Sequence, residues 1–376
     1  MSVTAEISAE NPIRVMVVDD SAVIRGLTSR ILEDDKQIQV VASVGNGQLA
    51  VNNLGRYDVD VVVLDIEMPV MDGLTALPKL LEIDPTVKVV MSSTLTSRNA
   101  QISMRALEAG AAEYIPKPTS TVDINSAGGF RRELHDKVKN LGLARRQQAG
   151  PAVKPERTKG PARAAPAAPK GPSAPITLRK PALLKPKVLA IGSSTGGPQA
   201  LFEFLKHVKP TINVPMVITQ HMPPTFTAIL AEHITRMTDW TCSEAKNGDE
   251  LRAGHIYLAP GDFHMLVEVK DGKNVIAVNQ GPQENFCRPA VDPMLRSLVQ
   301  VFSGNVFTVI LTGMGADGLK GGQGVVDAGG TLVAQDEKSS VVWGMPGAVA
   351  TAGICSAVLP LKELAEYVMK SFGKGA

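Results

Sequence analysis

The chain has 376 residues, of which 44% are hydrophobic and 20% charged, and its formal net charge is +2. That balance suits a globular protein of two or three domains and excludes a disordered or collagen-like chain. No apolar run approaches a bilayer span, the first residues hold no apolar signal segment, and Cys242, Cys287 and Cys355 show neither metal spacing nor a disulfide framework. A cytoplasmic protein is expected, with the cysteines as small buried apolar residues.

Residues 13–18 form a β-rich apolar run followed by Asp19-Asp20, and Ser21 can cap a helix carrying Val23, Ile24, Leu27 and Ile31. Strands follow over 37–43, 60–64, 87–91 and 112–115, with helices over 47–54, from Leu74 to Leu81, over 98–108 and within 130–143. Five strands alternating with helices predict a parallel, doubly wound sheet, whose ligands bind at the carboxyl ends of the strands. Asp19, Asp20, Asp65, Ser92 and Lys117 all follow strand ends. Three carboxylates at one mouth repel each other unless a hard divalent cation joins them, and Mg²⁺ suits such an oxygen-rich site. A nearby lysine can pair with an added phosphoryl group.

With Met68-Pro69, Asp72-Gly73 and Lys117-Pro118 added, residues 13–143 resemble the response-regulator receiver family. The resemblance implies a flavodoxin-like fold with a five-stranded parallel sheet. It further implies that Asp65 accepts a phosphoryl group and that Ser92 and Lys117 sense it. Asp19, Asp20, Asp65 and the Glu67 backbone carbonyl would hold Mg²⁺.

Nine of the 26 prolines fall between Pro151 and Pro186, among alanines and basic residues. Such a stretch cannot bury enough apolar surface to offset its ordering entropy, so residues 144–186 read as a linker. Residues 1–12 read as a flexible tail, and 187–376 as a second domain.

That second domain opens on Val188-Leu-Ala-Ile-Gly-Ser-Ser-Thr-Gly-Gly197, then Pro198: strand, tight turn, helix. Gly192-Ser-Ser-Thr-Gly196 is a literal G-x-S-x-G, which exposes its central hydroxyl above the N–H groups of a helix start. An anion-binding glycine loop is the plainer alternative. Further strands are expected over 215–219, 306–312 and 331–334, with helices over 199–207, 226–237, 289–301 and up to Ala328. Residues 240–280 read as β-rich, with turns at Asn247-Gly248, Pro260-Gly261 and Asp271-Gly272. Ser194, His221 and Asp317 each lie beyond a buried strand, so in a parallel sheet they share one edge. A serine nucleophile needs a base, and the base an orienting acid. Asp262 and Asp292 are rival acids. The chain order Ser, His, Asp departs from the α/β-hydrolase order, so a convergent triad on another parallel sheet is expected.

These motifs, with Thr219-Gln-His-Met-Pro-Pro224, Tyr257-Leu-Ala-Pro-Gly-Asp262, Arg288-Pro-Ala-Val-Asp292, Leu311-Thr-Gly-Met-Gly-Ala-Asp-Gly318 and Gly344-Met-Pro346, resemble one family along nearly the whole chain. It is that of the chemotaxis response regulators that are protein-glutamate methylesterases and glutamine deamidases. The resemblance implies a doubly wound parallel α/β methylesterase domain with a β-hairpin-rich insertion. It casts Ser194 as nucleophile, His221 as base and Asp317 as acid, with the backbone N–H groups of Thr195 and Met314 as oxyanion donors. The implied activity is phosphorylation-activated hydrolysis of glutamate γ-methyl esters, and of glutamine amides, without a cofactor at the esterase site. The implied partners are methyl-accepting chemoreceptors as substrate and a chemotaxis histidine kinase as phosphodonor, with no nucleic acid and no membrane insertion. A receiver joined to a phosphate-binding module is the first rival. A receiver-controlled DNA-binding regulator is the second, and the slightly acidic α/β second half counts against it.

Overall fold

The computed structural model of the chain describes residues 7–94, 96–118, 129–148 and 176–373. Residues 1–6 of the expected tail and 149–175 of the expected linker lie outside the described residues.

In the N-terminal unit, β1 (Ile13–Val18), β2 (Ile38–Val44), β3 (Val61–Asp65), β4 (Lys88–Ser93) and β5 (Glu113–Pro116) form a parallel sheet in the order β2-β1-β3-β4-β5. This is the flavodoxin-like order. β3 is buried throughout because helices cover both faces, so its sequence is a continuous apolar run without alternation. Met16 and Val18 of β1 pack with α2 (Gly47–Leu54), α3 (Gly73–Ile83) and α4 (Ser97–Glu108). Val15 and Val17 face the other way, toward α1 (Ala22–Glu33) and α5 (Phe130–Gln148). Ser21 caps α1 as expected, accepting from Ile24 N, and Asp72 caps α3, accepting from Thr75 N at 2.7 Å.

The last helix runs to Gln148, beyond the expected end at 143. Its final turn is clamped by charge. Asp60 is fully buried and accepts from Arg14 N (2.9 Å), Arg145 Nη1 (2.8 Å) and Arg146 Nη2 (2.6 Å). Arg145 also reaches Asp84 at 2.7 Å.

In the C-terminal unit seven parallel strands run in the order β14-β13-β12-β6-β7-β9-β8. They are β6 (Val188–Ser193), β7 (Met216–Gln220), β8 (Thr241–Glu244), β9 (His255–Leu258), β12 (Val306–Ile310), β13 (Thr331–Gln335) and β14 (Ala357–Leu359). The chain winds outward from β6 through β7, then returns to β12 on the other side of β6. The switch point therefore falls between β6 and β12, where a doubly wound sheet opens its ligand crevice. Around the sheet lie α6 (Gly197–His207), α7 (Phe226–Met237), α8 (Val291–Phe302), α9 (Leu319–Asp327), α10 (Met345–Thr351) and α11 (Leu361–Gly373).

The expected hairpin-rich insertion is a single hairpin, β10 (His264–Lys270) with β11 (Lys273–Asn279). Asp271 and Gly272 turn it with φ of 51° and 73°, the all-positive pattern of a type I′ turn. β8 and β9 instead extend the parallel sheet. Short β-rich runs look alike in sequence whether they add in parallel or fold back. The second domain also begins before Lys187: Arg179 N bonds Cys355 O (2.8 Å) and Ala182 N bonds Thr331 Oγ1 (3.1 Å).

The two units touch. Tyr114 stacks on Phe226 with ring centroids 4.3 Å apart, His233 Nδ1 meets Glu108 at 2.7 Å, and Gln199 donates to Ala111 O. Among the described residues no helix is long and apolar enough to cross a membrane.

Burial opposes the charge of Asp60, yet Arg146 and Arg14 hold its carboxyl below the usual range. Its contribution is therefore present above the ordinary carboxylate pKa and lost as pH falls toward the depressed one. Asp60→Ala should cost roughly 3–5 kcal/mol at neutral pH, because two arginines lose their buried partner. Urea denaturation checks this, and a midpoint equal to that of the parent would show the clamp to be dispensable.

Candidate active site

Two clusters of chemistry-bearing side chains lie at strand ends, one in each unit. In the N-terminal unit a cleft of ≈ 260 Å³ is lined by Asp20, Asp65, Ile66, Glu67, Ser93, Thr94, Asn99 and Lys117. Oxygen atoms of Asp19, Asp20 and Asp65 lie within 4.8 Å of one another. Lys117 Nζ bridges Asp19 (2.7 Å) and Asp65 (2.8 Å). Burial, aided by the charge on Asp19 and opposed by Lys117, pushes Asp65 up to about 6. An all-oxygen donor set whose carboxylates repel in this way fits a hard divalent cation.

Ser92 does not line this cleft. It sits beside Asp65 in the sheet, while Ser93 and Thr94 are among the residues that line the cavity. Adjacent strand residues point to opposite sides, so a pair of serines at a strand end can be misassigned by one position.

In the C-terminal unit the elbow forms where expected. β6 ends at Ser193, Gly196 turns with φ of 72°, and α6 starts at Gly197 with Pro198 in its first turn. The two serines have different fates. Ser193 is fully buried and donates to Gln220 Oε1 at 2.6 Å, whereas Ser194 is half-buried at the turn. Gln220 Nε2 in turn donates to Ser194 O (2.9 Å) and His221 O (3.2 Å), so one amide ties the elbow to the next strand end. Opposite lies Gly313, where a Cβ would sit 2.9 Å from Ser194 Cβ. Only glycine lets the loop after β12 approach the serine. Among the described residues, neither Thr195 N nor Met314 N donates a hydrogen bond, so both N–H groups remain available.

The loop after β12 carries Asp317 to the same edge, where its Oδ2 meets His221 Nε2 at 2.8 Å. Asp317 is buried and also accepts from Val291 N (2.6 Å), Asp292 N (3.0 Å), Gly318 N (2.9 Å) and Asn285 Nδ2 (2.8 Å). Burial raises its carboxyl, but His221 and these donors win and hold it below the usual range. The rival acids are occupied elsewhere. Asp262 is forked by Arg288 (3.0 and 2.6 Å), and Asp292 lies behind Asp317 on Gly318 N (3.0 Å) and Gly321 N (2.7 Å). The other histidines of this unit are likewise engaged away from Ser194: His207 with Glu203 O, His233 with Glu108, His255 with Ser243, and His264 with Pro282 O and Ala290 N.

Cys242 and Cys355 are buried, and burial pushes both thiols up to about 12. Cys287 departs from the expectation: it is half-buried, with Sγ 3.3 Å from His221 Nδ1. Burial works against a charged His221, but Cys287 and Asp317 outweigh it and raise the imidazole from 6.5 to about 10. Gln220 and Asn285 carry no role of their own in the sequence pattern, and Cys287 only that of a small buried apolar residue. Gln220 and Arg288 stood inside motifs, whereas Asn285 and Cys287 sit in a loop without periodicity.

Residues 15–127 match the response regulator receiver domain family, and residues 189–368 the CheB methylesterase family. The chain is 61% identical to a protein-glutamate methylesterase/protein-glutamine glutaminase of Azospirillum brasilense, over 97% of its own length and 94% of the relative's. It is 58% identical to protein-glutamate methylesterase/protein-glutamine glutaminase 1 of Paramagnetospirillum magneticum, over 98% and 99%. The crystal structure of the Thermotoga maritima CheB methylesterase catalytic domain is 38% identical, with a TM-score of 0.48 across 50% of this chain and 99% of that one.

A base must be neutral to accept a proton. Cys287 and Asp317 both favour the charged imidazole in this arrangement, so protonation of His221 extends above the ordinary 6.5. Hydrolysis of a small activated ester by the full chain, without phosphodonor, should therefore climb from pH 7 toward about 10 instead of levelling above 6.5. A pH–rate profile already flat by pH 8 would contradict it.

Proposed function

The chain belongs to the protein-glutamate methylesterase/protein-glutamine glutaminase family, with a receiver ahead of a methylesterase domain, and from there we propose that Ser194, His221 and Asp317 carry its hydrolytic chemistry. The observation that carries this is the 2.8 Å His221–Asp317 bond beside Ser194, at the switch point of the sheet.

With Nε2–H given to Asp317, Nδ1 is the nitrogen left to take the Ser194 proton. The freed oxygen attacks the γ-carbonyl of a methylated glutamate. The tetrahedral oxyanion is met by the N–H groups of Thr195 and Met314. The protonated imidazole returns its proton to the leaving methoxide, and methanol departs. Water, deprotonated by the same base, then releases the glutamate and restores Ser194. A glutamine amide follows the same route and releases ammonia. Asp317 orients the ring and stabilises its charge.

Control enters through the receiver. Asp65 is the phosphoryl acceptor, with Lys117 paired to the added charge. Ser93 and Thr94, which line the cleft, are closer at hand than Ser92 to bond a phosphoryl oxygen. Asp19, Asp20, Asp65 and the Glu67 carbonyl would hold Mg²⁺, which supplies positive charge against the transferring group. The α4-β5-α5 side of the receiver rests against the catalytic unit near its mouth, which supports inhibition by docking and release on phosphorylation. The substrate is the cytoplasmic region of a chemoreceptor and the phosphodonor a chemotaxis histidine kinase, so the protein works in the cytoplasm, without nucleic acid or membrane insertion.

Methanol release from methylated receptor tests this. The parent should be slow until a phosphodonor is added, and Asp65→Asn should stay slow afterwards. Ser194→Ala should abolish release, and Ser193→Ala should retain it. Asp317→Asn should lose about 10⁴-fold in rate by misorienting the ring. A near-normal rate in Asp317→Asn, or activity surviving in Ser194→Ala, would refute the triad.

A further inference from the structure

Cys287 has no part in the chemistry above, yet it touches the base. His221 has two ring nitrogens, and Asp317 takes Nε2. Nδ1 alone remains for Ser194, and Cys287 Sγ sits on it at 3.3 Å. With the proton on sulfur, the thiol donates to Nδ1. With the proton on Nδ1, the ring donates to sulfur. Either way the lone pair that Ser194 needs is taken. Among the described residues, no hydrogen bond joins Ser194 Oγ to the ring.

The loop that presents Cys287 is tightly built. Glu284 and Cys287 exchange backbone hydrogen bonds of 3.1 and 2.9 Å, and Asn285 and Phe286 between them have φ of 52° and 62°. Such values are uncommon for residues with a Cβ and persist only where the surroundings hold them. One hold is the bond from Asn285 Nδ2 to Asp317, the triad's own acid, at 2.8 Å. Another is the fork of Arg296 on Glu284. The third comes from the receiver: the Arg132 guanidinium of α5 lies 3.6 Å above the ring centroid of Phe286, which is 69% exposed with Arg132 in place. The residue next to Cys287 is thus a docking contact.

From this geometry we infer that Cys287 is a positioning residue of the inactive state, holding the proton-accepting nitrogen of His221 away from Ser194 while the receiver is docked. Withdrawal of α5 removes Arg132 from Phe286, relaxes the loop and frees Nδ1. Docking then does two things: it stands near the mouth, and it disarms the base. The inference rests on the assignment of Ser194 and His221 given above.

The test reads the nucleophile itself. Full-length chains react with phenylmethylsulfonyl fluoride, whose sulfonyl group adds to Ser194 Oγ as fluoride and the serine proton leave. The Ser194 adduct is followed by peptide mass, with and without acetyl phosphate. Cys287→Ala and Cys287→Val remove the donor, the latter while keeping apolar bulk. Cys287→Ser keeps a donor. Without acetyl phosphate, the alanine and valine chains should label faster than the parent by about five- to tenfold, the rate equivalent of one neutral hydrogen bond. Cys287→Ser should stay as slow as the parent. Acetyl phosphate should accelerate the parent and Cys287→Ser more than the other two, by that same factor.

Parent-like labelling of both the alanine and valine chains, or slower labelling of both, would overturn the inference. So would an undiminished gain from acetyl phosphate in those chains. Absence of any Ser194 adduct, in every chain and condition, would overturn the nucleophile assignment along with it.

Discussion

A single buried carboxylate organises the catalytic unit. Asp317 accepts five hydrogen bonds from four places in the chain: His221 after β7, Asn285 in the loop before α8, the first turn of α8, and its own neighbour Gly318. A buried carboxylate is tolerable only when fully satisfied, so each of these segments is fixed relative to the others. The sheet makes this economical. Parallel order brings the ends of β12, β6 and β7 to one edge, and a switch point between β12 and β6 leaves the crevice open there. Asp292, immediately behind, is raised by burial and by the charge of Asp317. Asn285 bonds both carboxylates and so separates like charges that would otherwise force one to protonate.

Most of this frame was legible in the sequence. β3, β6, β7 and β12 announce themselves as short apolar runs, because strands covered on both faces need no alternation. The residues just beyond them were correctly brought to strand ends, including Ser194, His221 and Asp317. The failures share a cause: they depend on which side of a backbone faces what. Ser92 and Ser93 are chemically identical neighbours, and only the pleat assigns one of them to the cleft. The β-rich stretch of residues 240–280 does not reveal that β8 and β9 join the parallel sheet, because four-residue strands carry no signal of direction. Cys287 read as buried filler because a cysteine near a proline and an arginine has no period to place it. α11 has an apolar stripe of Leu364, Ala365 and Val368, but no motif drew attention to it.

The units meet through a stacked aromatic pair, a His–Glu contact, the Arg132–Phe286 contact and a few polar bonds to loops, beside apolar side chains that they bury together. Covalent connection lowers the affinity that this contact must supply. The Arg145–Arg146 clamp fastens the chain to the receiver at one end of the connecting stretch, and Arg179 and Ala182 fasten it to the catalytic sheet at the other. Docking is then intramolecular, at an effective concentration of about millimolar for a chain of suitable reach. An intrinsic affinity of about 4 kcal/mol is enough to hold such a partner half of the time.

Docking of about that strength would make the regulation physically workable. A phosphoryl group coupled to docking by about 1–3 kcal/mol shifts the balance roughly 5–150-fold. Applied to an interface held by tens of kcal/mol, the same coupling would do nothing measurable. Steric cover alone, however, gives a weakly docked receiver little leverage, since the mouth is open whenever the receiver is away. A contact that also reaches the base through a tight loop changes the chemistry of the closed state as well as access to it. Arg132, Phe286 and Cys287 lie in a continuous line from the receiver to His221, so a small displacement of α5 is delivered at the nitrogen that takes the Ser194 proton in the mechanism proposed above.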